Sequence, residues 1–173
     1  MANIRITLFK DIIQMKITII AVGKIKEKFY RDAIDEYAKR LSKYCKFEII
    51  EVGDEKTPDK CSEVEEQIIL SKEAEKILKH VRTDMYVYAL AIQGKKLDSV
   101  SFANEINQKG ITGVSSIAFI IGGSLGLHSS VLNRANYKLS FSDMTFPHQL
   151  MRVILSEQIY RSFRIIANEP YHK

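Results

Sequence analysis

Two loops in the last third of the chain carry the residue types from which a ligand site is built. Gly122-Gly123-Ser124-Leu125-Gly126-Leu127 follows the apolar, β-branched run Ile117-Ala118-Phe119-Ile120-Ile121. Glycines at the end of a buried strand let backbone come close to a ligand, or simply make a tight turn with none. Ser142-Asp143-Met144-Thr145-Phe146-Pro147 mixes polar and apolar side chains and ends on a proline that fixes its exit before His148. Further on, Arg152, Arg161 and Arg164 lie on the polar side of a helical pattern whose apolar side is Leu150, Ile154, Ile159, Phe163 and Ile166. The chain closes on the basic, aromatic tail Asn168-Glu169-Pro170-Tyr171-His172-Lys173.

Guanidinium forks match phosphate oxygens, and an imidazole is the side chain suited to accepting a proton near neutral pH. Arg161 stands four residues after Glu157, so an ion pair along the helix competes with a phosphate role; Arg164 reads as solvated. Gly122-Gly123-x-x-Gly126 is not the dinucleotide pattern G-x-G-x-x-G, and no Gly-Lys-Ser or Gly-Lys-Thr makes it a P-loop. Cys45 and Cys61 have neither CxxC spacing nor clustered histidines, so no metal site and no disulfide framework is expected. No apolar run approaches the ~20 residues that span a bilayer, and Met1 to Gln14 lacks a signal-peptide cleavage site. A cytoplasmic protein with no membrane partner is the expectation. The net charge of +5 leans toward a polyanionic partner while also fitting a plain soluble protein.

The 173 residues fit one domain, 15–173, behind an N-terminal extension, 1–14. Strands are read at Lys16–Val22, Phe47–Val52, Met85–Ala91, Ile117–Ile121 and Tyr137–Phe141, with Ile92-Gln93-Gly94-Lys95 as a turn. Helices are read over 27–44, 62–80, 99–108, 129–135 and from His148 onward. In the second, Val64, Ile68, Ala74, Ile77 and Leu78 supply the apolar positions, and Glu63, Glu65, Glu66, Glu73 and Glu75 a solvated face. The loop Gly53–Asp59 is polar and of open role. Alternation of strands and helices predicts an α/β fold, a mostly parallel sheet flanked by helices, with ligands beyond the carboxyl ends of the strands. Leu90–Gly94, Gly122–Gly126 and Phe141–Phe146 meet there.

The ordered set Ile19-Ile20-Ala21-Val22-Gly23-Lys24, Ile121-Gly122-Gly123-x-x-Gly126-Leu127, Thr145-Phe146-Pro147-His148-x-Leu150-x-Arg152-Val153, Glu157-Gln158-Ile159-Tyr160-Arg161 and Asn168-x-Pro170-Tyr171-His172 resembles the bacterial large-subunit (23S) rRNA pseudouridine-N3 methyltransferases of the SPOUT superfamily. The resemblance runs from Met15 to the last residue. It implies a C-terminal trefoil knot, a homodimer and S-adenosylmethionine as methyl donor. Carried over by position, cofactor contacts fall on Leu90, Gly122, Phe141, Ser142, Asp143, Met144, Thr145 and Phe146. Tyr171 and His172 then become candidates to meet the nucleotide, at the partner subunit's cofactor site, with His172 either accepting the N3 proton or hydrogen-bonding backbone or RNA phosphate, and Arg161 beside them. Arg152, Arg161 and Lys173 become candidates for grip on RNA or, for the arginines, placement of the tail. The implied substrate is a pseudouridine in a large-subunit rRNA hairpin at the subunit interface of the assembled ribosome. A SPOUT enzyme acting on transfer RNA and a non-catalytic RNA-binding or assembly factor are the rival readings.

Overall fold

A computed structural model describes residues 15–172. The N-terminal extension and Lys173 therefore lie outside the described residues. The element order is β1 (Lys16–Val22), α1 (Lys28–Leu41), β2 (Lys46–Val52), α2 (Glu63–Leu78), β3 (Tyr86–Lys96), α3 (Ser99–Ile111), β4 (Ser116–Ile121), α4 (Ser129–Arg134), β5 (Tyr137–Ser140) and α5 (His148–Ile166). The five strands form one parallel sheet in the order β2-β1-β4-β3-β5.

The central strands β1 and β4 are apolar at nearly every position because helices cover both faces of the sheet. Ile17, Ile19, Ala21, Ile117, Phe119 and Ile121 point to the face packed by α1, α3 and α5. Ile20, Val22, Ala118 and Ile120 point to the face packed by α2 and α4. The two-residue alternation of a strand thus feeds two cores.

Beyond shifts of a few residues at element ends, three elements differ from the sequence reading. β3 does not turn at Ile92-Gln93-Gly94-Lys95; it continues to Lys96 with a register shift between Leu90 and Lys95 opposite β5. Gly94 permits this, since a Cβ there would lie 2.7 Å from the Lys138 and Leu139 backbone. α3 runs through Gly110 and stops before Gly113, whose φ of +84° suits a residue without Cβ. In α2, Val64 and Ile68 are exposed, Ile69 and Leu70 are buried in their place, and Glu73 is buried despite its neighbours' exposure. Ala74 and Ile77 face inward as read; the first half of the helix offers two apolar stripes, and with Ala74 and Ile77 packed on Ile20, Val22 and Val52 the one with Ile69 and Leu70 is buried.

β5 occupies the sheet edge beside β3, yet α5 starts beside the end of β1: the amide of Lys26 donates to Gln149 at 2.8 Å, and Arg152 reaches the Val22 carbonyl. The stretch Phe141–Pro147 therefore crosses the carboxyl ends of β3 and β4. From there α5 descends against α1 and α3.

Candidate active site

All five strands run parallel, so the loops after β1, β2, β3, β4 and β5 share one edge of the sheet. The expected cofactor residues lie along it. Leu90 pairs with Leu139 immediately before the irregularity in β3, and Gly122 follows the last residue of β4. Lys96 on the β3 extension forms an ion pair with Asp143, tying the first loop to the crossing stretch. Within that stretch, the Ser142 hydroxyl accepts the Met144 N–H at 3.0 Å and the Ser142 carbonyl accepts from Ser140 at 3.2 Å. Asp143, Met144 and Thr145 are exposed, and Phe141, Ser142 and Phe146 are half-buried.

The glycines hold the turn in shape. A Cβ at Gly122 would stand 2.2 Å from the Gly126 carbonyl oxygen, Gly126 has φ +87°, and its N–H donates to Gly123 O at 3.2 Å. Both readings offered by the sequence meet here: the turn is tight for its own reasons, and the result is bare backbone at the carboxyl edge.

A cavity of about 340 Å³ opens where the β3–α3 turn, the end of β5 and α5 meet. Leu97, Phe102, Leu139, Phe141 and Ile154 give it apolar walls; Asp98, Ser99, Ser140 and Gln158 add polar groups. That volume and mixture suit a small ligand with a flat apolar body and a polar rim. Asp98 caps α3 by accepting the Ser101 N–H at 2.7 Å, and that bond, with a smaller contribution from nearby His172, holds its carboxyl below the usual range.

The tail folds onto its own α5. The Tyr171 ring lies 4.8 Å beneath the Arg161 guanidinium and packs edge-on against Tyr160. Its hydroxyl donates to Glu157 at 3.2 Å, and Arg161 forks onto the same Glu157 oxygen at 2.6 and 3.0 Å. Burial, reinforced by the Glu157 charge, pushes the Tyr171 phenol up to about 12, so it is a hydrogen-bond donor at neutral pH and no base. His172 is exposed, with Nδ1 3.4 Å from Arg161 Nη1. The i,i+4 pair foreseen for Arg161 is present; what the sequence reading missed is that Glu157 also accepts from Tyr171 and so becomes the hub of the tail. Its four-residue spacing from Arg161 was the available signal. Arg164 is not solvated as expected: it pairs with Glu169 at 2.7 Å and touches Pro170 O, bracing the tail from behind.

Arg152 is not available to grip RNA. It is fully buried, donating to Glu51 at 2.8 Å, to Val22 O at 2.7 Å and to Gly23 O at 2.8 Å. Its charge faces inward because α5 delivers it to the exposed carbonyls at the end of β1, where two neutral acceptors and one carboxylate replace water. His148 is half-buried beside Gly23, and burial together with the Arg152 charge lowers its pKa. His128 caps α4, its Nδ1 accepting the Ser130 N–H at 3.2 Å.

Comparison with known proteins places this geometry. The model of the family described as "Predicted SPOUT methyltransferase" matches residues 15–172. Proteins named "Ribosomal RNA large subunit methyltransferase H" from Clostridium novyi (strain NT) and Clostridium beijerinckii (strain ATCC 51743 / NCIMB 8052) are 64% and 62% identical over 159 residues, 92% of this chain and 100% of each relative. A probable methylase family protein from Haemophilus influenzae Rd KW20 shares the fold at a TM-score of 0.50 and 16% identity, over 92% of this chain and 70% of that one. So does a probable methyltransferase from Bordetella pertussis Tohama I, at 0.54 and 11%, over 91% and 98%.

Proposed function

The chain belongs to the SPOUT methyltransferase family, and on that premise we propose that it transfers a methyl group from S-adenosylmethionine to N3 of a pseudouridine in large-subunit ribosomal RNA, acting on the assembled ribosome. The observation that carries this reading is that the cofactor positions implied by family resemblance gather on one edge of the sheet, where Phe141 lines a cavity. The residues fit such a cofactor: Leu97, Phe102, Leu139, Phe141 and Ile154 give apolar walls for a flat base, Asp98, Ser99 and Gln158 give polar partners, and on the same sheet edge Gly122 presents backbone without a Cβ. When bound, its sulfonium supplies an electrophilic methyl group.

Leu90, Gly122 and the stretch Phe141–Phe146 would hold the cofactor and orient it by backbone contacts. The chain's remaining task is to align N3 of the base for in-line attack and to let its proton leave. His172 would accept that proton only after giving up Arg161, because in the folded-back tail Arg161 is the donor toward Nδ1. Arg161 would place the tail, being already committed to Glu157 and Tyr171. Lys173, Tyr171 and His172 would meet the nucleotide.

The active form in this proposal is a homodimer, knotted in its C-terminal part, with each tail completing the partner's site. The crossing of Phe141–Pro147 over β3 and β4 supports the knot. Exposed Ile92 (55%), Val100 (44%) and Met144 (74%), all on the carboxyl edge, support a covering second copy. RNA is then recognised by shape and ribosomal surroundings.

The test is transfer of labelled methyl from S-adenosylmethionine to ribosomes lacking the modification, with transfer RNA as control. The expected product is one N3-methylated pseudouridine in large-subunit RNA. Label on transfer RNA, or cofactor binding without any transfer, would move the protein to one of the rival readings.

A further inference from the structure

Of the glutamates on α2, Glu73 alone is buried, at 5% exposure. A carboxylate is costly to bury unless its contacts do something that an apolar side chain would not. Its Oε1 accepts the Glu55 N–H at 3.0 Å, in the loop between β2 and α2. Both of its oxygens lie 3.3–3.5 Å from where a Cβ on Gly123 would stand, so the carboxylate also backs the glycine turn. One helical turn on, Lys76 donates to Gly53 O at 2.9 Å and pairs with the Glu55 carboxylate. The start of the loop is therefore gripped by its N–H, its C=O and a side chain at once. The rest of it, Thr57–Ser62, frames an open cavity of about 590 Å³ with Leu125 of the glycine turn.

We propose that Glu73 is a positioning residue for methyl transfer: it ties the β2–α2 loop to the glycine turn so that the two present a single, fixed surface to the RNA substrate. The inference rests on the RNA-methylation reading above. It concerns the RNA side of the site, because the loop supplies none of the residues assigned to the cofactor. Glu73 touches no reacting atom; it acts through Glu55 and Gly123.

Full-length Glu73→Ala, Glu73→Gln and Lys76→Met variants test it with two readouts. Native-state trypsin cleavage after Lys56 and Lys60 reports loop anchoring without reference to activity. It should accelerate by about fivefold or more in Glu73→Ala and Lys76→Met and stay at the wild-type rate in Glu73→Gln, which keeps the Oε1 acceptor. With ribosomes as substrate, Glu73→Ala should raise the KM for ribosomes by about fivefold or more while cofactor affinity stays within about twofold. Wild-type cleavage in Glu73→Ala, or a loss of cofactor affinity as large as the rise in KM, would overturn the proposal. Should Glu73→Ala fail to fold, unchanged cleavage in Lys76→Met would overturn it alone. Absence of methyl transfer by the unaltered protein would instead overturn the RNA-methylation reading, and the cleavage rates would still decide whether Glu73 anchors the loop.

Discussion

Arg152 and Tyr171 show how differently two polar residues of one helix-and-tail unit are used. Arg152 sits at a polar position of the helical pattern, and a pattern cannot reveal that carbonyls 130 residues away will meet it. Replacing it by Ala leaves those carbonyls and Glu51 without their donor, which costs about 3–5 kcal/mol. Urea unfolding should show that loss, and Lys should rescue little of it, because one ammonium cannot reproduce the planar fork. A loss below about 1 kcal/mol would mean that the buried network is dispensable. Tyr171 gives a pH prediction. Its phenol is raised from 10 to about 12 in the folded protein, so its stabilising contribution is complete below pH 10 and disappears as the pH rises through 12. Absorbance titration of wild type against Tyr171→Phe should show one tyrosine ionising late, and Tyr171→Phe should leave the pH profile of methyl transfer unaltered below pH 10. The Glu157–Arg161 pair was legible in the sequence, because four-residue spacing is a local rule. The stacking of Tyr171 on Arg161 was not, since it depends on the tail reversing direction at Asn168, a non-glycine residue with φ +56°.

At the scale of elements, the glycine turn and the β3 extension shape the edge proposed as the site, and both rely on close backbone approach. Gly122→Ala pushes a methyl into Gly126 O, so the turn must open, at about 1–3 kcal/mol and with about tenfold weaker cofactor binding. Calorimetry with S-adenosylmethionine, beside thermal unfolding, would measure both, and unaltered binding would remove the turn from the site. Strand identities and the start of α5 at His148 were readable, because buried parallel strands and a proline exit are strong local signals. The length of β3 was not readable, since Gly94 looks like a turn residue until β5 lies against it. Nor was the first half of the buried face of α2, although the helix start at Ser62 was read; a capping box with Glu65 forms there. Two apolar stripes competed there, and only the sheet decided between them. The cysteines follow the same packing: burial pushes the Cys45 thiol up to about 12, whereas Cys61 is only half-buried at the loop cavity. A thiol reagent at pH 8 should therefore label Cys61 in the native protein and reach Cys45 only on unfolding; equal rates would contradict the packing around Cys45.

For the whole molecule, the parallel sheet with helices on both faces follows from alternating strands and helices, and its carboxyl edge is where such a sheet binds ligands. What the periodicities could not convey is the path of the chain between β5 and α5. That path brings Phe141–Pro147 across the ends of β3 and β4, onto the edge where the resemblance puts the cofactor. The most direct test of methyl transfer to pseudouridine uses labelled S-adenosylmethionine with three substrates: unmodified ribosomes, isolated large subunits and naked large-subunit RNA. The account predicts label at N3 of a single pseudouridine, strongest on assembled ribosomes. Label at any other atom, or equal transfer to naked RNA, would contradict it.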